Sequence, residues 1–218
     1  NKGKSRIIAH ALKLLMSQSS KIFIMGHKNP DMDSFGAALG IYRVAKSIGK
    51  EAYVVLGPYN DALMTIADEA KETGYYDFIS PEKAVNMTDE NALVVVVDTH
   101  RPMLVESNEL IEKVGRTVVI DHHRKAADAL PGLLLSYMES YASSASELVT
   151  EIVQYACEKR TLTSMEANAL LAGIMVDTNR FAVKAGVRTF EAASWLRRAG
   201  ADLGHVRMYF QADSENFK

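Results

Sequence analysis

Leu93 to Val97 is an unbroken apolar run in which four of the five residues are valine, and it ends on Asp98. A stretch with no polar alternation suits a strand covered on both faces, as strands are in a parallel sheet. Thr117 to Ile120 is a second such run, and it ends on Asp121-His122-His123. Lys21 to Met25 and Ala52 to Leu56 read as further strands, and Leu133 to Tyr137 as an edge strand. Apolar residues of helical period separate them: Lys4 to Ser17, Ser34 to Ile48, Ala62 to Glu72 and Leu104 to Lys113. Asp77 to Asn91 reads as loop. Strands alternating with helices predict an α/β fold, a doubly wound and mostly parallel five-stranded sheet with helices on both faces. After about residue 140 the pattern is helical: Ala145 to Cys157, Met165 to Val176, Phe190 to Ala199 and Asp202 to Phe210. Ser143 or Ser144 is placed to cap the first of these, and Thr163 or Ser164 the second.

Composition narrows the function classes. At 218 residues the chain fits one domain with a helical C-terminal part. A net charge of -2 gives no general attraction to duplex nucleic acid or to a membrane surface. Cys157 is the only cysteine, which excludes an internal disulfide and favours a reducing compartment. No apolar stretch approaches the ~20 residues of a membrane span. The chain begins on Asn1, so a piece of a longer protein is expected. The glycine-rich phosphate loops of NTPases and dinucleotide enzymes are absent.

The chemistry-bearing residues gather at predicted strand ends, where open α/β sheets bind ligands. The loop Gly26-His27-Lys28-Asn29-Pro30-Asp31-Met32-Asp33-Ser34 follows the first strand and holds one imidazole and two carboxylates. Asp98 follows another strand, and Asp121, His122 and His123 follow a third. Asp177 ends a helix in Asp177-Thr178-Asn179. Any one of these acids is explained by a turn or a helix cap. Acids and histidines at three strand ends of one sheet point instead to a shared ligand. Imidazole with several carboxylates and no thiolate favours Mn²⁺, Mg²⁺ or Fe²⁺ over structural zinc. The carboxylates suffice for two ions, an arrangement common in phosphoryl hydrolysis.

Taken in order, Gly26-His27-x-Asn29-Pro30-Asp31-x-Asp33-Ser34, Asp98-Thr99, Asp121-His122-His123, Ser143-Ser144-Ala145-x-Glu147 and Asp177-Thr178 resemble the successive motifs of the DHH phosphoesterase family. The likeness runs over about residues 20 to 205. Within the family it is greatest to the DHH domain of GdpP-type cyclic di-AMP phosphodiesterases, through Asp98-Thr99-His100-Arg101-Pro102 and Arg188-Thr189-Phe190-Glu191-Ala192-Ala193. The resemblance implies that His27, Asp31 and Asp98 hold one Mn²⁺. It implies that Asp33, Asp98, His122 and Asp177 hold a second, with Asp98 bridging. Asp121 would orient His122 from behind, without binding the metal itself, and His123 would lie beside the phosphate as stabiliser or proton donor. The implied reaction is attack of a metal-activated hydroxide on phosphorus, converting cyclic di-AMP to linear pApA. His123 and Asp98 are thus the expected catalytic residues.

The resemblance also divides the chain: 1–20 as an N-terminal helix or linker, 21–210 as the DHH domain, and 211–218 as a linker toward a DHHA1 domain. The glycine-histidine-rich motif of that second, substrate-binding domain does not follow Phe210. A cyclic dinucleotide, a DHHA1 domain and a second copy in a homodimer are the expected partners. A membrane-anchored parent acting at the cytoplasmic face is the implied setting. Arg188 is placed either to clamp a phosphate or to pair with Glu191, and Ser143 and Ser144 open a helix N-terminus that can receive an anion. Lys28 is a further phosphate contact or a solvated lysine. His100 either enters the site or stabilises its loop. The alternatives are another activity of the family (short-oligonucleotide or pApA hydrolysis, pAp phosphatase, pyrophosphatase) or a non-catalytic metal or nucleotide sensor.

Overall fold

The computed structural model describes residues 2–215. Among these, six strands form one parallel sheet: β1 (Ile22–Met25), β2 (Ala52–Val55), β3 (Phe78–Ile79), β4 (Leu93–Val97), β5 (Thr117–Asp121) and β6 (Leu135–Met138). Their order is β3-β2-β1-β4-β5-β6. The all-apolar strands take the centre: every residue of β1, β4 and β5 is buried. Register places Phe23 beside Val94, and Val95 beside Val118. The sheet has one strand more than expected. The extra strand, β3, has two residues, too few to show a period, and lies in the stretch read as loop.

Nine helices flank the sheet among the described residues: α1 (Lys2–Ser17), α2 (Met32–Ser47), α3 (Asp61–Thr73), α4 (Pro81–Met87), α5 (Asn108–Val114), α6 (Ala145–Ala156), α7 (Ser164–Asp177), α8 (Val187–Arg198) and α9 (Leu203–Glu215). One face of the sheet packs on α1, α2, α3 and α6 to α9, the other on α4 and α5. Side-chain caps start most of them: Asp31, Asn60, Ser80, Ser107, Ser144 and Thr163 each accept a hydrogen bond from the first turn. The cap of α2 is thus Asp31. Helix α5 begins at Asn108 rather than Leu104, because Leu104 and Glu106 pair with the loop after β1.

Two boundaries differ from expectation. Ile8, Leu12 and Met16 of α1 are buried in the main core, so this helix belongs to the domain rather than to a linker. Residues 211–215 continue α9, and residues 216–218 of the expected linker lie outside the described residues. Among the described residues no helix is long and apolar enough to cross a membrane.

Helix α2 crosses α6 and α7 at backbone contact. A Cβ on Gly36 would lie 2.3 Å from the Ala169 carbonyl oxygen, and one on Gly40 would lie 2.5 Å from Val149 Cγ1. This approach brings the first turns of α2 and α6 and the end of α7 above the carboxyl ends of β1, β4 and β5. The strand order reverses between β1 and β4, which is where a doubly wound sheet opens a crevice.

Candidate metal centre

The loop after β1 is pinned by backbone bonds on both sides of His27: Lys28 N–H donates to Leu104 O (2.7 Å) and Glu106 N–H to Gly26 O (2.9 Å). The ring Nδ1 lies 3.0 Å from Lys28 O, which leaves Nε2 toward Asp98 Oδ2 at 3.3 Å and Asp31 Oδ1 at 3.7 Å. Asp31 caps α2 by accepting from Ser34 N–H at 2.9 Å. Asp33, two residues on, is fully buried. Its two oxygens accept from the free N–H groups at the start of α6, Ser146 N at 2.7 Å and Ala145 N at 3.0 Å. A helix N-terminus favours an anion through those N–H groups and its dipole. Here the anion is the protein's own carboxylate.

That finding changes the reading of Ser143 and Ser144. Both are buried, and their hydroxyls serve the helix start: Ser144 Oγ accepts from Glu147 N–H, and Ser143 Oγ donates to Glu147 Oε1 at 2.9 Å. They cap the helix start whose Ala145 and Ser146 N–H groups hold Asp33. Gly173 keeps the arrangement compact, since a Cβ there would meet Ser146 Oγ at 2.1 Å and Asp33 Cα at 3.0 Å.

Asp98 is the hub. It follows β4 with φ 64, a left-handed conformation uncommon for a residue with a side chain. One oxygen faces His27, and the other lies 3.1 Å from His122 Nε2. His122 Nε2 also lies 3.3 Å from Asp177 Oδ2 and 3.6 Å from Asp33 Oδ2. Two donor sets therefore share Asp98: His27, Asp31 and Asp98, and Asp33, Asp98, His122 and Asp177. Within each, one ligand atom per residue lies within 4.8 Å of all the others. A further set, Asp98, Asp121, His122 and His123, meets the same condition.

The electrostatics mark these carboxylates as crowded. Burial and the charges of Asp98, Asp177 and Asp31 push the Asp33 carboxyl well above its ordinary value. Burial, with the charges of Asp98 and Asp31, lifts Asp177 to about 6. Burial works against ionised Asp98, but hydrogen bonds to His122 and His27 hold it well below the usual carboxylate range. Burial likewise opposes charge on His27, and the carboxylates of Asp31 and Asp98 outweigh it, raising the imidazole to about 11. Among the described residues no lysine or arginine pairs with Asp31, Asp33, Asp98 or Asp177. Converging acids with only imidazoles for company fit an oxygen- and nitrogen-coordinated divalent cation. Cys157, the one thiol, lies elsewhere, its Sγ 3.7 Å from Ser47 Oγ.

Asp121 does not orient the His122 ring as expected. Its Oδ1 accepts from the backbone N–H of His122 (2.8 Å) and from His123 Nδ1 (2.7 Å), and its Oδ2 lies 2.7 Å from His100 Nδ1. His100 Nε2 accepts from Ala126 N–H, so Nδ1 carries the proton and donates to Asp121. His100 is therefore a buried support for Asp121 and the loop after β5. His123 is half-exposed, and its hydrogen bond to Asp121 raises its pKa above the ordinary value. Arg188 is not at the cluster either. Its guanidinium grips the buried Glu151 on α6 in two hydrogen bonds, beside a cleft that contains none of the donor residues. The sequence motifs identify the ligand types but not these supports. The Ser144–Glu147 spacing marks the helix start, while its occupant, Asp33, lies more than a hundred residues away.

The profile described as the "DHH family, N-terminal domain" matches residues 21–174. The cyclic-di-AMP phosphodiesterase GdpP of Bacillus subtilis is 43% identical over 218 residues, 98% of this chain and 33% of that protein. The chain thus spans about a third of the length of that relative. A probable manganese-dependent inorganic pyrophosphatase of Streptococcus thermophilus is 28% identical over 160 residues, 73% of this chain and 48% of that protein. Among solved structures, an exopolyphosphatase-related protein from Bacteroides fragilis matches with a TM-score of 0.77 and 21% identity, covering 93% of this chain and 59% of that one. That likeness is one of fold: a parallel sheet with helices on both faces. With the profile covering the sheet, the loop after β1, and the strand ends that carry Asp98 and Asp121-His122-His123, the chain belongs to the DHH family.

Proposed function

We propose that this chain is the catalytic part of a Mn²⁺-dependent phosphodiesterase that opens cyclic di-AMP to linear pApA. The observation that carries the reading is the pair of donor sets joined at Asp98. The 43% identity to GdpP supplies the substrate class, and the manganese-dependent relative favours that metal. His27, Asp31 and Asp98 would hold one ion, and Asp33, Asp98, His122 and Asp177 the other. Divalent ions there supply Lewis-acid polarisation of the phosphoryl oxygens and a lower pKa for the attacking water.

The remaining work falls to the protein. Asp33 is fixed by two N–H donors, so its geometry does not depend on a ligand. Asp121 holds His123 through Nδ1 and keeps it protonated to higher pH, which suits His123 Nε2 to give a proton to the leaving 3′ oxygen. The remainder of the parent protein is the place for a DHHA1 domain that reads the bases and for a membrane anchor, with hydrolysis on the cytoplasmic side.

The test is a substrate panel on the parent protein with Mn²⁺: cyclic di-AMP, pApA, pAp and pyrophosphate. Cyclic di-AMP is expected to be cleaved to pApA, with loss of activity in excess chelator and in Asp98→Ala. Preference for pyrophosphate by orders of magnitude, or full turnover in chelator, would overturn the reading.

A further inference from the structure

We propose that Arg124, Lys125 and Lys184 form a subsite for the second phosphate of a dinucleotide whose first phosphate lies at the metal centre. The inference deepens the function proposed above and rests on it for the position of the first phosphate.

A cleft of about 1270 Å³ opens beside the donor cluster and is lined by His122, His123 and Asp177 together with these three cations. It exceeds the roughly 300–1,000 Å³ typical of pockets for drug-sized ligands, and so has room for far more than one phosphate. The only carboxylate in its lining is Asp177, itself a member of a donor set. Among the described residues, none of the three cationic side chains has an ion pair or hydrogen bond. Nearby arginines differ. Arg101 pairs with Asp128, Arg188 with Glu151, and Arg180 lies over the Phe210 ring. Three cations without a partner thus line a cleft that borders the cluster of acids, and Arg124 also lines a second cleft, beside His27 and Asp98.

The backbone gives the second, independent observation. Asn179, Arg180, Phe181 and Lys184 all have positive φ, at 46, 58, 70 and 57. Residues with a side chain rarely adopt this conformation, and such strain persists only where the surroundings over-determine it. Here they do. Buried Thr178 braces the loop, its hydroxyl accepting from Phe181 N–H (2.9 Å) and its carbonyl from Val183 N–H (3.0 Å), while Arg180 N–H donates to Met175 O (2.8 Å). The braced loop begins at Asp177, so one rigid segment fixes both a donor carboxylate and Lys184. A merely solvated lysine needs no such frame. Arg124 and Lys125 follow His123 directly and approach from the loop after β5. A cation set at a fixed offset from the metal centre selects a ligand with two separated phosphates over one with a single phosphodiester.

The experiment is calorimetric binding to the intact protein, loaded with Ca²⁺ in place of Mn²⁺ to hold back turnover. The ligands are pApA, which has two phosphates, and ApA, which has one. Wild type is expected to bind pApA at least tenfold more tightly than ApA. In Lys125→Gln/Lys184→Gln that ratio is expected to fall below threefold, and Lys125→Arg/Lys184→Arg is expected to restore it. Circular dichroism checks that the variants are folded. A wild-type ratio near one, or a ratio in the Gln variant equal to wild type, overturns the subsite. Mn²⁺-dependent turnover of cyclic di-AMP is followed in parallel. Its absence with the binding ratio intact would remove the proposed reaction while leaving the subsite standing.

Discussion

Asp121 is fully buried at the end of β5, and both of its oxygens accept hydrogen bonds from histidines, His100 on one and His123 on the other. It also accepts from the backbone N–H of His122, so it braces the cluster from beneath. Asp121→Asn keeps the shape and removes the charge. Loss of such a supporting carboxylate typically lowers metal affinity or activity about 10–100-fold, and that range is expected for kcat/KM here. The pH profile separates this role from mere packing. The bond to Asp121 holds His123 above its ordinary pKa. Removing the charge lowers that pKa, so the alkaline limb of a rate that needs protonated His123 moves to lower pH. A pH–rate profile at saturating Mn²⁺ reads it, and an unmoved limb would show that His123 is not the proton donor. At this scale the sequence discloses residue types and little of their partners. His27, Asp98 and His122 are legible because strand ends place them. That His100 serves Asp121 depends on Ala126 N–H taking its other nitrogen, which no local pattern encodes.

Among the elements, α6 is held to α8 by Glu151 and Arg188 and to α1 by Glu151 and Ser5, whose hydroxyl donates at 2.7 Å. Burial alone raises the Glu151 pKa, but Arg188 and Ser5 reverse this and hold it below the ordinary value. A depressed carboxyl contributes stability that is present above its unfolded pKa and lost as pH falls through its folded one. Arg188→Met leaves Glu151 buried beside one hydroxyl, which raises its pKa and inverts that dependence. Breaking a buried pair typically costs about 3–5 kcal/mol, expected here near neutral pH. The gap between wild type and variant is therefore expected to widen as pH rises from about 3 to 6, between the depressed and raised ends of the carboxylate range. Urea denaturation at several pH values measures it, and a gap independent of pH would mean that the pair is not the source. Elements with a long period or a capping signal are legible: the buried strands β4 and β5 and the caps Ser144 and Thr163 all lie where the sequence places them. β3 is not, because two residues carry no pattern and its place is set by pairing with Val54 and Val55.

Over the whole molecule, the core and the donor cluster are separate structures. The apolar clusters on the two faces of the sheet contain none of the donor residues. Asp33 is already held by backbone N–H groups, and Asp98 by His27 and His122. The fold is therefore expected to form without metal, unlike a zinc finger, which is unfolded in its absence. Yet the crowded carboxylates repel one another, and a cation that binds the native arrangement and not the unfolded chain stabilises it by mass action. At a hundred times the dissociation constant the gain is about 2.7 kcal/mol. A chain of this length gains roughly 2–4 °C per kcal/mol. Saturating Mn²⁺ is thus expected to raise Tm by about 5–10 °C over the chelated protein, and the chelated protein is itself expected to unfold in a single cooperative step. Asp98→Asn weakens both donor sets at once and is expected to abolish most of the shift. It is also expected to lower the metal-free Tm, since the ionised carboxylate that His27 and His122 hold in the fold is gone. Differential scanning calorimetry of wild type and variant, with chelator and with Mn²⁺, distinguishes the cases. A chain already unfolded in chelator at 25 °C would make the metal structural, and an equal Mn²⁺ shift in Asp98→Asn would place the ion away from the residue that the two sets share.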